Sequence, residues 1–220
     1  MTNNANLKDR TFSSIAWSGS IQSASQVINF CLGIVLARLL TPEDFGLMAT
    51  MLAFISIAQL FSDFGLSAGL IQKDAVSKEE AFSCVVFNLL IGCTIAIIVA
   101  LFNSEIANFY NEERLNTIVL TIAPLFFITS LSSVPQALLS RELAHKYLSF
   151  IDLIAVISGT ITAVILAFYE FGIWSLVVQQ YVYSILRMIL LVIKSKLAWG
   201  KFRYNSIKSI FGFSASVFAT

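Results

Sequence analysis

AFSCVVFNLLIGCTIAIIVALF, residues 81–102, runs for 22 residues without a single charged side chain. A hydrocarbon core of ~30 Å needs about 20 helical residues, and within lipid only a helix or a closed barrel satisfies its own backbone hydrogen bonds. The run has the length of a membrane-crossing helix. Similar runs lie at about 12–37, 45–70, 115–140, 150–169 and 174–193, and another begins near Ile207. The chain is therefore expected to be all-α: a polytopic transmembrane bundle of six spans and the start of a seventh. That last run is still apolar at Thr220, so the 220 residues are expected to be cut from a longer chain, with residues 1–200 forming a six-helix lobe and 201–220 a cytoplasmic linker and the beginning of a second lobe.

Composition agrees with this reading. Hydrophobic residues make up 57% of the chain and charged residues 12%, against about 25% charged in soluble domains. An ordinary soluble fold is excluded. The net charge of +1 carries no message about nucleic acid, and no nucleic-acid partner is expected. Cys31, Cys84 and Cys93 all fall inside apolar runs, with neither disulfide nor metal spacing. The first run is too long for a signal-peptide core and lacks a small-residue cleavage site, so it reads as a retained span.

The charges fall between the runs and set a direction. Lys8, Arg10, Lys73, Lys78, Arg141, Lys146, Lys194, Lys196, Lys201, Arg203 and Lys208 lie on one side, with Arg187 nearest it. The other side has Arg38 and Arg114 among Glu43, Asp44, Glu105, Glu112, Glu113 and Glu170. Short loops rich in Lys and Arg stay in the cytoplasm, which predicts a cytoplasmic N-terminus. At Thr41-Pro42-Glu43-Asp44, an N-cap Thr precedes Pro at the first helical position, and the acids complement the helix dipole. Pro124 and Pro135 lie in the fourth span, where each removes a backbone hydrogen bond; a bent helix with candidate hinges is expected there.

Two spans are polar along one face. Thr11, Ser14, Ser18, Gln22, Ser25, Gln26, Asn29 and Gly33 share an arc of about 120° at 100° per residue, and Ser175, Gln179, Gln180, Tyr183, Arg187 and Lys194 share one of about 140°. Lipid penalises such amides by a few kcal/mol each unless they find partners, so both arcs face protein or water. Close packing of helices through small and amide residues is the alternative to a lined cavity. Arg187 lies about 10 Å inside the cytoplasmic end of its helix at ~1.5 Å per residue. An arginine inside a span marks a functional site by default, with snorkelling to the headgroups as the competing account. Gln22, Gln26, Asn29, Gln179, Tyr183 and Arg187 are thus the candidate cavity residues. Asp63, four residues after Gln59 on the same face, is a weaker candidate for a coupling ion. Asp152, at the mouth of the fifth span, reads as a first-turn dipole partner or a solvated residue, and His145 as a solvated loop residue. No catalytic constellation, metal-ligand spacing or phosphate-cradling loop is found, so neither an enzyme nor a cofactor is expected. Translocation fits best, since a cargo needs a lined path and little else.

Residues 36–49 (LARLLTPEDFGLMA) and 61–72 (FSDFGLSAGLIQ) resemble the first two helices of bacterial oligosaccharide flippases. Residues 135–143 (PQALLSREL) and 171–177 (FGIWSLV) are similar to that family's later connections. These are the lipopolysaccharide and exopolysaccharide flippases of the multidrug/oligosaccharidyl-lipid/polysaccharide exporter superfamily, nearest the colanic-acid-exporter type. The resemblance implies two six-helix lobes in the bacterial inner membrane. By alternating access they would carry an undecaprenyl-diphosphate-linked oligosaccharide to the periplasmic leaflet for surface polysaccharide biosynthesis. The implied partners are that lipid-linked oligosaccharide, membrane lipids and polysaccharide polymerase machinery. The chain departs from the family at Glu170, where Gly is frequent, and at residues 144–146, where Ala-His-Lys replaces an acidic-aromatic-basic stretch. Other functions compatible with a helix bundle are a cation-coupled multidrug exporter, a membrane glycosyltransferase or polymerase subunit, and a non-transporting scaffold.

Overall fold

The computed structural model describes residues 25–63, 76–142 and 145–195, with residues 19, 23, 70, 71 and 200 in addition; residues 57–63 and 145 are described by backbone alone. Every element among them is a helix. Ser25–Leu39 forms α1 and Pro42–Asp63 α2. Lys78–Leu101 (α3), Asn103–Tyr110 (α4), Arg114–Arg141 (α5), His145–Phe168 (α6) and Ile173–Ser195 (α7) follow. Among the described residues, four helices are long and apolar enough to cross a membrane: α3, α5, α6 from Lys146, and α7. The expected span over 12–37 is described only in its second half, and the run near Ile207 lies outside the described residues.

Local sequence fixes where the helices begin. Ahead of α2, Thr41 Oγ1 accepts from Asp44 N–H at 3.3 Å, while the Asp44 carboxylate accepts from Thr41 N–H at 3.2 Å and from its hydroxyl at 2.9 Å. This is a reciprocal cap with Asp in the reaching-back position, and Pro42 needs no N–H there. Ser77 and Glu80 form the same device ahead of α3, at 3.2 and 3.0 Å, so α3 starts three residues before its apolar run. At the far end, residues 103–110, expected as part of a connection, instead form the short helix α4. Its Ala107 is buried, and it ends on Asn111 in the left-handed region (φ 52°).

The α6–α7 turn closes in the same manner. Phe171 N–H donates to Leu166 O at 3.3 Å and Glu170 N–H to Ala167 O at 3.0 Å, with Glu170 at φ 60°. This Schellman closure ordinarily takes Gly at the left-handed position. Here Glu170 holds that position.

Helix α5 passes through Pro124 and Pro135 as one 28-residue element and forms the centre of the bundle. Its face toward α3 is built for close approach. Gly92 lies against Ser130 and the Phe126 carbonyl, and Asn88, fully buried, donates to Ser133 Oγ at 2.7 Å. The main core joins Leu36, Met51, Ile122, Phe126, Ala163 and Val177 from five helices. Outward, Phe30, Leu90, Ile97, Ile161, Ile165 and Ile193 are exposed. An apolar exterior of this extent suits lipid rather than water, and the protein is a multi-pass membrane protein.

Three connections meet at one end. Arg114 Nη1 lies 3.6 Å from Glu43, and the Asp44 carboxylate faces Gly172 in the α6–α7 turn. The exposed Arg114–Glu43 pair marks the arrangement more than it stabilises it. At the other end Lys194 Nζ lies 3.7 Å above the Tyr147 ring, and residue 200 returns beside Lys78 and Glu79.

A candidate polar cavity between α1, α6 and α7

Antiparallel helices joined by a short turn pair residues whose numbers sum to a constant. Gly159 of α6 meets Gln179 O and the Tyr183 side chain of α7, and a Cβ added at Gly159 would lie 2.9 Å from that carbonyl. Absence of a side chain there lets α6 and α7 close tightly. Two turns nearer the other end, the same register sets Asp152 opposite Arg187.

Beside this seam is a cavity of ≈ 220 Å³. Ser25, Gln26 and Asn29 of α1, Ser149, Asp152 and Val156 of α6, and Tyr183 of α7 line it. Helical spacing places Gln26 and Asn29 on one side of α1. Of the arc expected on the first span, Ser25, Gln26 and Asn29 line the cavity, while Thr11, Ser14, Ser18 and Gln22 lie outside the described residues; of the arc on the sixth span Tyr183 lines it, with α6 supplying the third wall. Gln26 and Asn29 also border a mostly apolar groove with Phe30, Gly33, Ile34 and Ala37, so the cavity adjoins an apolar side of α1.

Behind the cavity runs a hydrogen-bond chain. Gln179 Nε2 donates to Thr160 Oγ1 at 3.2 Å, and Thr160 Oγ1 stands 3.1 Å from Asn29 Oδ1 and 2.8 Å from Val156 O. One hydroxyl proton serves only one of those two acceptors at a time. The Thr160 hydroxyl therefore has two settings, bonded across to α1 or back into α6. Gln179 stands one polar step from the cavity rather than on its wall.

Arg187 is held on two sides. Its Nε donates to Asp152 Oδ1 at 2.7 Å and its Nη2 to Gln136 Oε1 of α5 at 3.1 Å. The Arg187 side chain is 18% exposed and that of Asp152 45%. A mostly buried guanidinium needs such partners, because an unpaired charge in a low-dielectric region is strongly disfavoured. Asp152 is thereby corrected from the solvated or dipole-capping residue expected: it is the counter-ion of Arg187. A guanidinium has five N–H donors, and three of these have no acceptor among the described residues.

Other expected residues are placed less fully. Gln22 lies outside the described residues. Asp63 is the last residue of α2 and His145 the first of α6, both known by backbone only. Pro135 is buried and immediately precedes Gln136, so one candidate hinge lies beside the Arg187 anchor. Among the described residues no group of three or more His, Cys, Asp or Glu side chains gathers to hold a metal. Sequence reasoning missed Gln136, Ser149 and Thr160. The α6–α7 pairing sum was the signal for Asp152; for Gln136, two helices away, the sequence has no comparable one.

The arrangement offers amides and hydroxyls that both donate and accept, suited to a polyol, next to a guanidinium with donors to spare, suited to an anion. Residues 35–220 match the family model described as polysaccharide biosynthesis protein. The chain is 28% identical over 165 residues to the lipopolysaccharide biosynthesis protein WzxC of Escherichia coli K12, covering 73% of this chain and 33% of that one. It is 26% identical over 188 residues to the succinoglycan biosynthesis transport protein ExoT of Rhizobium meliloti, covering 86% and 38%. Over 160 residues it is also 26% identical to a membrane protein of the cps region in Klebsiella pneumoniae, covering 73% and 33%. The chain spans about a third of the length of the curated relatives it matches. No solved structure matches it.

Proposed function

The chain belongs to the polysaccharide biosynthesis protein family, and from that premise we propose that the whole protein is a flippase rather than an enzyme. It moves an undecaprenyl-diphosphate-linked oligosaccharide across the bacterial inner membrane by alternating access, with its N-terminus in the cytoplasm. The observation that carries this reading is the meeting of Gln26, Asn29, Tyr183 and Asp152 around one cavity inside an otherwise apolar bundle, with Arg187 paired to Asp152. A diphosphate and its sugars cannot enter hydrocarbon unaided, whereas a prenyl tail can remain in lipid throughout. The cavity's border on the apolar α1 groove suits a cargo of that divided character. In this reading Gln22, Gln26, Asn29, Gln179 and Tyr183 meet sugar, Arg187 meets phosphate, α5 flexes at Pro124 and Pro135, and Asp63 serves the coupling ion. Polysaccharide polymerase machinery is the partner that receives the cargo.

One relative's name agrees with transport, since ExoT is a succinoglycan biosynthesis transport protein. Deleting the gene is expected to leave a lipid-linked glycan on the cytoplasmic leaflet, and Arg187→Gln to reproduce that accumulation with the protein still in the membrane. Full surface polysaccharide in the Arg187→Gln strain would overturn the role of Arg187. If nothing accumulated on deletion, the flippase reading itself would fall and drug export would be favoured.

A further inference from the structure

We propose that Asp152 is an exchangeable counter-ion, a built-in competitor that an anionic cargo must displace from Arg187 and whose displacement loosens α6 from α7. The inference rests on the assignment of Arg187 to phosphate. Asp152 reaches Arg187 Nε at 2.7 Å, yet it lines the cavity and keeps almost half its side chain exposed. Arg187 does not itself line the cavity, so an incoming anion meets the Asp152 carboxylate before the guanidinium. Two anions beside one guanidinium repel each other, so a bound phosphate and the Asp152 contact oppose one another.

The geometry makes the exchange directional. Arg187 is on α7, Asp152 on α6, and Gln136 on α5. Displacing Asp152 removes the ionic tie between α6 and α7 while the neutral Gln136 bond keeps Arg187 anchored to α5. Below the ion pair, the α6–α7 seam is held by the close approach at Gly159 and by the Gln179–Thr160 bond. When α6 parts from α7 the Thr160 hydroxyl keeps an acceptor on its own helix in Val156 O, and Gln179 gives up its bond to Thr160. Asp152 also acts as a filter. A neutral sugar offers no charge to replace a charge-assisted bond, whereas a diphosphate brings two or more. The carboxylate thus excludes uncharged glycans and admits those carrying phosphate.

The test uses the full protein in phosphatidylcholine nanodiscs at fixed ionic strength, titrated with inorganic diphosphate and, separately, with a short-chain prenyl diphosphate. Asp152→Asn is expected to tighten binding of both by about tenfold or more, and Asp152→Glu to return it toward wild type; loss of a merely structural contact would not raise affinity. A gain confined to the prenyl compound would assign the site to the lipid headgroup, and an equal gain for both to the phosphate chemistry alone; either upholds the exchange. Asp152→Asn binding no tighter than wild type overturns it while leaving the flippase reading intact. Arg187→Gln binding as well as wild type overturns the exchange and the assignment of Arg187 to phosphate, while the flippase reading is decided separately by the gene deletion. Should Asp152→Asn fail to fold, spin labels at the exposed positions Ile161 and Ile189 supply a second measure: diphosphate is expected to lengthen the distance between them in otherwise wild-type protein, and an unchanged distance overturns the exchange.

Discussion

The α3–α5 seam and the α6–α7 seam use nearly the same residue types for opposite ends. In both, a glycine lets two helices approach until a side chain no longer fits: Gly92 against Ser130 and Phe126 O, Gly159 against Gln179 O. In both, amides and hydroxyls lie between helices. Along α3–α5 the polar groups are short and turned inward. Ser130 bonds Phe126 O at 2.7 Å, Ser133 bonds Ser130 O at 2.9 Å, and Asn88 reaches only Ser133. Along α6–α7 they are long: Tyr183 and Asp152 border a void, and Arg187 stands behind Asp152 as its ion-pair partner. Small polar residues at helical spacing therefore signal close packing by themselves. Long ones with donors left over signal a lined path.

This contrast is open to direct attack. Gly92→Val should have the largest effect, because its Cβ meets the Phe126 carbonyl at 2.8 Å and that backbone cannot rotate away. A loss of roughly 3 kcal/mol or more is expected, read as a collapse in thermal stability and membrane yield. A well-folded Gly92→Val protein would mean that the α3–α5 seam is not the rigid one. Gln179→Leu is expected to take about 1 kcal/mol from stability through the lost Thr160 bond. Its larger consequence should be a drop in transport, measured as lipid-linked glycan remaining on the cytoplasmic leaflet; unchanged transport would make the α6–α7 polar chain mere glue, like its counterpart. The smallest effect belongs to neither seam. Glu170→Gly removes the left-handed strain in the turn that sets the α6–α7 register, and a gain of about 0.5–1 kcal/mol is expected. A lower melting temperature would show that Glu170 holds the turn by its side chain.

Much of the fold was legible because its causes are local. The cap at Thr41, read from the sequence, involves residues three apart; the cap at Ser77 and the turn at Glu170, equally local, were not read. The α4 helix was missed for a related reason: eight residues give too short a pattern to stand out from a polar connection. In the candidate site, Gln26, Asn29 and Tyr183 were legible as faces of single helices, and the cavity joins them. Asp152 was misread because its significance lies 35 residues away, in the charge it neutralises.

Sequence alone determined that these are helices long and apolar enough to cross a membrane, and which side of the first and sixth spans is polar. In lipid a helix must satisfy its own backbone, and periodicity along one segment reveals its faces without knowledge of any neighbour. Only the tertiary structure decided that Arg187 is shared between Asp152 and Gln136, that Gln179 is committed to Thr160, and that two similar glycine seams differ in having a void beside them. Those outcomes depend on the rotation and register of one helix against another. Contacts between distant segments set both, and no single segment encodes them.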